Sequence, residues 1–538
     1  MKDVRIRQKP PMLDSAIQAK TTPRTTFTGI WILAATILGS SMAFIDGTVV
    51  NVALPSIQTN LHASVSHMQW VVEAYGLFLA SLILVGGSLG DMFGRRRIYG
   101  LGIILFALAS LFCGWSTNVA QLIAARAIQG IGGAMLVPGS LAILTTTFSP
   151  EERGRAIGTW SASAAIMTAL GPVLGGWLVE HASWRWIFYI NIPLAIVALT
   201  ILYLHVPESR NEASEGQVDW KGAILATIGL GGLIFGLIES SNLGFTHPLV
   251  WGGLLLGIAG LILFAWAQHH SEAPMLPLAL FQSRTFSGAN VMTLLLYGAL
   301  YGVLFFMPFN LIQIRDYGEL AAGAAFLPAI LSVALMSHWS GKIMGRIGAR
   351  PLLIGGPLLA AVGYSLFALM GAKEGSYIVT LLPAMLAMGL GMGICVAPLT
   401  TSVMSSVHTR YSGLASGLNN AISYTAALLA IALLGIVILY AFNHQLDGHL
   451  TEAAHPSILV EELKTERSKL AAAEIPMAAT PEQVAQLTTA IHDSFLYGFR
   501  LIMWIAAGMA MAAALIALWT IDESTLLCSS EIEHVGFG

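Results

Sequence analysis

Residues 70–97 read WVVEAYGLFLASLILVGGSLGDMFGRRR, an apolar run of helix length followed by a glycine-rich segment and three arginines. About 20 apolar residues in a row suffice to cross a bilayer as a helix. Such runs recur along the 538 residues, which are 56% hydrophobic and 10% charged, whereas soluble domains carry about 25% charged residues. Because backbone groups in lipid must bond to one another, the expected fold is an all-helical, polytopic membrane protein.

The apolar runs predict fourteen spans. They lie near residues 30–51, 70–90, 99–117, 120–146, 156–179, 185–205, 222–239, 249–268, 286–310, 319–339, 351–371, 376–398, 411–441 and 497–520. The tail before them, residues 1–27, holds six basic residues without an apolar core, which is not the pattern of a signal peptide. The three cysteines are far apart in sequence, so neither a disulfide framework nor a metal site is predicted.

The positive charges of the short loops predict the orientation of the chain. Arginines and lysines concentrate after the second, fourth and tenth spans, while residues 51–69 and 240–250 contain none. Since short cytoplasmic loops are the ones rich in Lys and Arg, both termini are expected in the cytoplasm. The acidic stretch 442–496 is then expected to lie outside the cell, as a helical loop.

An internal repeat relates the two halves of the chain. The pattern Gly87, Asp91, Gly94, Arg95 and Arg96 is echoed by a similar segment at 341–350, although Gly345 replaces the acidic residue there. The repeat predicts two six-helix halves, the arrangement of transporters that rock about a central site. The predicted units are a tail (1–27), a first half (28–205), a linker with two inserted spans (206–284), a second half (285–520) and a tail (521–538).

Four segments resemble the motifs of one transporter family. They are IDGTVVNVALP at 45–55, GSLGDMFGRRR at 87–97, RAIQGIGG at 126–133 and GPVLGG at 171–176. In this order they are similar to the drug:H+ antiporter-2 family of the major facilitator superfamily, which includes EmrB-type and QacA-type multidrug pumps. The resemblance implies fourteen spans in the inner membrane of a bacterial cell, export of drugs against protons, and a role for Arg126 in proton coupling.

Ionisable residues inside apolar spans are the candidates for proton coupling. Such groups cost roughly 2.5 to 3.5 kcal/mol at the bilayer centre, so they usually face a cavity and mark a pathway. Asp46 and Glu73 are the predicted proton carriers, while Arg126 stays charged and adjusts a neighbouring carboxylate. Structural pairing of Asp46, a solvated position for Glu73, a purely structural Arg126 and an interfacial position for Glu239 remain alternatives.

Two glycine motifs have mechanical interpretations. The segment with Gly87, Asp91, Gly94, Arg95 and Arg96 is predicted to be a conformational latch, or else only to set the topology. The motif at 171–176 contains the four residues predicted to let the fifth span pack closely and bend, and these are Gly171, Pro172, Gly175 and Gly176. Ordinary glycine-mediated packing is the alternative for this motif.

The predicted substrate is a lipophilic compound. Trp70, Tyr75, Trp160 and residues 305–307 are candidates for an apolar cavity, and the carboxylates of Asp46 and Glu73 favour a cationic drug. A proton-coupled carrier of a specific metabolite is the alternative. The absence of HExxH, GxSxG and P-loop motifs argues against an enzyme. No cofactor, metal or nucleic acid is expected, and a periplasmic adaptor with an outer-membrane channel is left open as a partner.

Overall fold

The computed structural model describes residues 27–210, 218–271, 274–371, 375–408, 412–452 and 457–521. Apart from Phe27 and Ile521, the two predicted tails lie outside the described residues. Within these residues, fourteen helical segments are long and apolar enough to cross a membrane, which confirms the predicted number of spans. The chain is therefore a multi-pass membrane protein.

The first six spans consist of seven helices. They are α1 (Phe27–Asn60), α2 (Val65–Phe93), α3 (Arg95–Trp115), α4 (Val119–Thr147), α5 (Pro150–His181), α6 (Trp186–Tyr189) and α7 (Asn191–His205). The side chains of Ser64 and Asn118 cap the first turns of α2 and α4 by accepting backbone hydrogen bonds that the helix itself cannot satisfy. The sixth span is interrupted at Ile190, which the apolar run had not revealed.

The two inserted spans are α8 (Trp220–Leu243) and α9 (Pro248–His270), which pack against each other. Seven of the remaining nine helices build the last six spans. The nine are α10 (Arg284–Phe309), α11 (Glu319–Ala324), α12 (Leu327–Ile347), α13 (Arg350–Met370), α14 (Tyr377–Thr380), α15 (Leu382–Ser405), α16 (Ser412–Glu452), α17 (Ser457–Glu466) and α18 (Pro481–Thr520). The tenth span breaks between α11 and α12, where Pro328 lacks the N–H that would continue the ladder.

The two halves have the same packing pattern. In the first half α1 packs on α5 and α7, and α4 packs on α2 and α3. In the second half α10 packs on α16 and α18, and α15 packs on α12 and α13. The turns of the repeat also agree, since Gly94 and Gly348 both adopt positive φ angles, 106° and 81°. Two six-helix halves and two inserted helices therefore form the predicted architecture.

The last helix is longer than predicted, because α18 begins at Pro481 rather than near 497. Its 40 residues span about 60 Å, against a hydrocarbon core of about 30 Å. The ends of α16 and α18, with α17 and a 3₁₀ helix at Arg467–Ala472, form a projection that we call the cap. We name the end of the bundle with the cap the cap side, and the end with Arg95–Arg97 the arginine side.

The halves touch most closely on the cap side. A Cβ atom on Gly176 of α5 would overlap the carbonyl group of Glu319, and one on Gly323 of α11 would overlap that of Pro172. Toward the arginine side, Cβ atoms on Gly158 of α5 and Gly345 of α12 would meet nothing within 4 Å. The bundle is therefore closed on the cap side, where α5 packs extensively on α11, while toward the arginine side α5 hardly contacts α12.

Candidate functional site

Asp46 of α1 and Arg126 of α4 form an ion pair in the interior of the first half. Arg126 Nη1 lies 2.5 Å from Asp46 Oδ2, and Arg126 Nε donates to the carbonyl oxygen of Val71 at 3.0 Å. Both side chains are buried, with exposed fractions of 0% for Asp46 and 1% for Arg126. The structure thus brings together two of the three residues predicted for proton coupling.

Gln129 forms hydrogen bonds to both members of the ion pair. It lies one helical turn after Arg126, so both side chains project from the same face of α4. Gln129 accepts from Arg126 Nη1 at 2.6 Å and donates from Nε2 to Asp46 Oδ1 at 2.8 Å. Each oxygen of the Asp46 carboxylate therefore has a donor, as a buried charge requires.

The network continues into helices that the sequence analysis did not single out. Gln129 Nε2 also lies 2.9 Å from the hydroxyl of Ser110 in α3, and Asn191 of α7 donates to that hydroxyl at 3.2 Å. Both are buried polar residues inside apolar spans, which is the signal that could have identified them. The network ties α1 to α4, α3 and α7.

Aromatic rings cover the guanidinium group of Arg126. Its Cζ atom lies 4.3 Å from the ring centre of Tyr75 and 5.9 Å from that of Phe188. Ring faces attract a cation, and the attraction grows when water is excluded. Tyr75 therefore stabilises the charge of Arg126 instead of lining a substrate cavity.

Glu73 lies on the opposite face of α2 from this network. Gln69 and Gly76, one turn to either side of it, contact α16, whereas Trp70 and Leu77 contact α8. The side chain is fully buried, and both of its oxygens lack a hydrogen-bond donor within the described protein. The structure thus places Glu73 at the junction of α2, α8 and α16, away from Asp46 and Arg126, rather than in a solvated vestibule.

Glu239 of the inserted helix α8 is tied to the same junction. Its Oε1 accepts from Trp70 Nε1 at 2.9 Å, and its Oε2 accepts from Asn242 Nδ2 at 3.1 Å. This arrangement links α8 to α2 on the cap side. Trp70 is engaged in that link and is not available to a central cavity.

The predicted latch is held by partners in the first half and in the loop directly after it. Arg95 pairs with Asp91 at 2.6 Å, and Arg96 donates from its backbone N–H to Glu208 Oε1 at 3.0 Å and from Nη1 to the Val206 carbonyl at 3.0 Å. Asp91 belongs to the first half, whereas Val206 and Glu208 belong to the start of the linker that follows the sixth span. In this conformation the segment therefore joins the second, third and sixth spans, instead of latching the two halves together.

Glu208 is the residue of this region that the sequence analysis missed. Its carboxylate caps the start of α3 and lies 3.6 Å from Arg97. A Cβ atom on Gly94 would approach that carboxylate to 2.7 Å, so a glycine is needed there for space as well as for its positive φ. Gly87 has a looser neighbour, since a Cβ atom there would lie 3.5 Å from Pro138.

The glycines of the fifth span face two different neighbours. Gly171 and Gly175 pack on Thr48 and Val49 of α1, whereas Gly176 packs on α11 of the other half. Pro172 cannot donate to the Thr168 carbonyl, and the hydroxyl of Thr48 lies 3.3 Å from that oxygen. The motif therefore provides close packing within the half and across the halves.

Two glutamates reinforce the closed cap side. Glu180 of α5 accepts from the backbone N–H of Leu320 at 2.9 Å, and Ser56 of α1 donates to Glu319 at 2.9 Å. The cap adds a further contact, because Gln58 of α1 donates to the carbonyl oxygen of Lys469 at 3.1 Å. Opening the cap side requires all three contacts to break.

A cavity of about 190 Å³ lies between the halves, below these contacts. Its lining is mostly apolar. The lining residues are Thr48, Asn51, Val52, Thr168, Pro172, Leu300, Tyr301, Leu304, Phe326, Ala329, Ile330, Val333, Met388, Gly389 and Met392. Of the aromatic candidates, Trp160 instead donates to Ser40 at 2.9 Å, and Phe305, Phe306 and Met307 are buried in the core.

Comparison with known proteins identifies the family. The profile of the Major Facilitator Superfamily matches residues 36–431. The multidrug resistance protein Stp of Mycobacterium tuberculosis is 35% identical over 427 residues, which cover 79% of each chain. This chain belongs to the major facilitator superfamily.

Further comparisons agree with this assignment. The tetracenomycin C resistance and export protein of Streptomyces glaucescens is 30% identical over 490 residues, covering 91% of each chain. Among solved structures, a bacterial homologue of the lysosomal transporter Spinster, in an inward-facing conformation, has a TM-score of 0.64 at 18% identity and covers 92% of this chain and 98% of its own. At that identity the likeness supports the major facilitator fold alone.

The buried charges of Asp46 and Arg126 form an ion pair, not a metal site. No group of three or more His, Cys, Asp or Glu side chains in the described ranges is placed to hold a metal ion. The pair of Asp46 and Arg126 lies next to the cavity between the two halves. Membership of this family assigns the chain to transport, not to catalysis.

Proposed function

We propose that this chain exports lipophilic drugs across the bacterial inner membrane in exchange for protons, with the arginine side and both termini in the cytoplasm. The observation that carries the exchange is the buried pair of Asp46 and Arg126, because α1 also lines the cavity two residues later, at Thr48. The names of the relatives, which include multidrug resistance and tetracenomycin C export, support a drug as the cargo.

Asp46 is the proposed proton carrier. A carboxylate can take up a proton, whereas the guanidinium of Arg126 keeps its charge. Protonation removes the charge that Arg126 pairs with and leaves Arg126 with Gln129 and the Val71 carbonyl. The hold of α4 on α1 then weakens, and α1 carries the cavity residues Thr48 and Asn51 with it. A proton on Asp46 and a substrate in the cavity thereby favour different arrangements of the same helix.

The proton gradient supplies the driving force in this proposal, without a cofactor, and the membrane potential is its electrical part. Each charge that moves inward contributes about 2.3 kcal/mol per 100 mV. Glu73 is a second candidate carrier, because a buried carboxyl without a donor is far easier to accommodate with its proton than without it. Glu73 lies where α2 of the first half meets α16 of the second. Gain or loss of a proton on Glu73 would therefore change the contact between the halves.

The proposed division of the chain follows the fold. Residues 28–205 and 285–520 act as the moving halves, and residues 206–284 contribute the inserted pair between them. The cap, residues 442–496, would lie outside the cytoplasm and is the natural contact surface for a periplasmic adaptor leading to an outer-membrane channel. Deleting the cap is expected to abolish co-purification of such partners, and unchanged co-purification would rule out the cap as their contact surface.

Export by the purified protein tests the proposed function. Vesicles that contain the protein and a pH gradient are expected to lose that gradient when a lipophilic drug is added. Asp46→Asn is expected to abolish this exchange, because the amide cannot carry a proton. Glu461→Gln, on the exposed surface of the cap, is the matched control and is expected to behave as wild type. Drug-dependent proton movement of normal size in Asp46→Asn would refute the role of Asp46.

A further inference from the structure

The cavity between the halves has no charged side chain on its lining. Four of its lining residues are polar, namely Thr48, Asn51, Thr168 and Tyr301. The hydroxyls of Thr48 and Thr168 already lie within hydrogen-bond distance of backbone carbonyls of their own helices. Asn51 and Tyr301 have no hydrogen-bond partner within the described protein. Asn51 lies on α1 of the first half and Tyr301 on α10 of the second, so the free polar groups come from both halves.

The nearest acidic residues are engaged elsewhere. Both oxygens of Asp46 are occupied by Arg126 and Gln129, and the side chain is fully buried. Glu73 faces the junction of α2, α8 and α16, on the far side of α2. The carboxylates of Glu180 and Glu319 accept the hydrogen bonds that close the cap side. None of these four groups lines the cavity.

The second half supplies no negative charge at membrane depth either. The sequences of α10, α12, α13 and α15 contain no Asp or Glu, and α16 has none before Asp447. A permanent cation in the cavity would therefore give up its water without gaining a counter-ion, which is strongly unfavourable in an apolar environment. An uncharged molecule meets no such penalty.

We propose that this transporter selects uncharged lipophiles that carry a hydrogen-bonding group, and that it discriminates against permanent cations. The proposal rests on the export function above and names its substrate class. Asn51 and Tyr301 are the specificity-determining residues, which contact the polar group of the substrate from the two halves. The expectation of a cationic substrate required Asp46 or Glu73 on the cavity wall, and the structure puts neither there.

The cavity volume limits how the substrate binds. About 190 Å³ is less than the roughly 300 to 1,000 Å³ of typical ligand sites. A drug-sized molecule therefore inserts its polar end between Asn51 and Tyr301 and extends between α5 and α12, which hardly contact each other toward the arginine side. The cap-side contacts prevent it from extending the other way.

A matched pair of probes tests the proposal. Triphenylphosphine oxide is uncharged and has one strong acceptor oxygen, whereas tetraphenylphosphonium has similar size and a permanent positive charge. Two readouts are needed, namely dissipation of a pH gradient in vesicles and the shift of Tm in detergent. The oxide is expected to give both signals, and the phosphonium ion at least tenfold weaker ones.

Substitutions in the cavity sharpen the test. Asn51→Asp adds a negative charge without changing the size of the side chain and is expected to bring tetraphenylphosphonium to within a few-fold of the oxide. Asn51→Gln, which adds no charge, is the control and is expected to leave the phosphonium signals low. Tyr301→Phe is expected to weaken binding of the oxide several-fold without admitting the cation.

Binding and proton movement separate the two proposals. Wild-type protein that binds and exchanges tetraphenylphosphonium as well as the oxide would overturn the substrate class and leave the export function standing. Protein that binds only the oxide but moves no protons would overturn proton-coupled export and uphold the selectivity of the cavity. Protein that binds neither probe would refute the proposed site.

Discussion

The side chain of Gln129 donates a hydrogen bond from Nε2 to Oδ1 of Asp46 at 2.8 Å. The same amide accepts a hydrogen bond from Arg126, so Gln129 holds the Asp46 carboxylate and the Arg126 guanidinium at a set distance. A hydrogen bond to a charged group contributes about 1.5 to 3 kcal/mol. Gln129 is thus a positioning residue for the pair, and its removal should affect the proton step more than the fold.

Replacing Gln129 by Leu should lower drug-driven proton exchange roughly tenfold or more, since about 1.4 kcal/mol corresponds to a factor of ten. Binding of the drug should be far less affected, because Gln129 does not line the cavity. Dissipation of a pH gradient in vesicles measures exchange, and the drug-induced shift of Tm measures binding. Ser110→Ala, which removes only the next member of the network, is the milder comparison. Exchange and drug binding that fall by the same factor would mean that Gln129 acts only on folding.

Replacing Arg126 by Lys should abolish coupled exchange although the positive charge is kept. A lysine ammonium cannot reproduce the planar arrangement that contacts Asp46, Gln129 and the Val71 carbonyl together. Arg185→Lys, at a residue that contacts Asn60 and the Ser116 carbonyl near the cap side, is the control and should transport normally. Normal exchange by Arg126→Lys would show that charge alone suffices.

Replacing Gly176 by Ala should open the cap side. The added Cβ would overlap the Glu319 carbonyl across the halves, and neither backbone can move without separating α5 from α11. Thiol labelling of Ser56→Cys from the cap side should therefore become faster by several-fold. Gly158→Ala on the same helix meets nothing within 4 Å and is the matched control. Equal labelling in both variants would contradict this role for Gly176.

Replacing Gly94 by Ala should destabilise the protein more than Gly348→Ala. Both glycines have positive φ, so both variants incur backbone strain of about 1 to 3 kcal/mol. Only at Gly94 does the new Cβ also meet a carboxylate, that of Glu208. The difference between the two losses in Tm isolates this contact. Adding Glu208→Ala to Gly94→Ala should recover part of it, and a lack of any recovery would disprove the clash.

Raising the pH should destabilise the cap, because deprotonation of Lys469 removes its ion pairs with Glu466 and Glu474. Burial acts to lower the pKa of this group, but hydrogen bonds and the charges of Glu466 and Glu474 outweigh it and raise the pKa above its ordinary value. The stabilisation is therefore complete below the unfolded pKa of about 10.4 and is lost as pH rises through the higher folded pKa. Thermal unfolding from pH 8 to 12 should show a steeper fall for wild type than for Lys469→Met. Parallel curves would exclude the ion pairs as the cause.

The sequence by itself determined the number of spans, the two-half repeat and the family motifs. Length and apolarity decide whether a segment crosses a membrane, and the glycine turns at Gly94 and Gly348 are local requirements of the backbone. Boundaries were less predictable, because the ends of α16 and α18 are stabilised by packing within the cap and not by lipid.

Only the tertiary structure decided which ionisable residues act together. Asp46 and Glu73 look alike in sequence, since each is an acid in an apolar run. The rotation of α2 turns Val71 and Tyr75 toward Arg126 and turns Glu73 away from it. Likewise, the uncharged cavity wall is built from helices distant in sequence. The close approach of Glu208 to Gly94 also joins segments that are far apart in the chain. Such contacts depend on how whole helices are rotated and packed, which no short stretch of residues specifies.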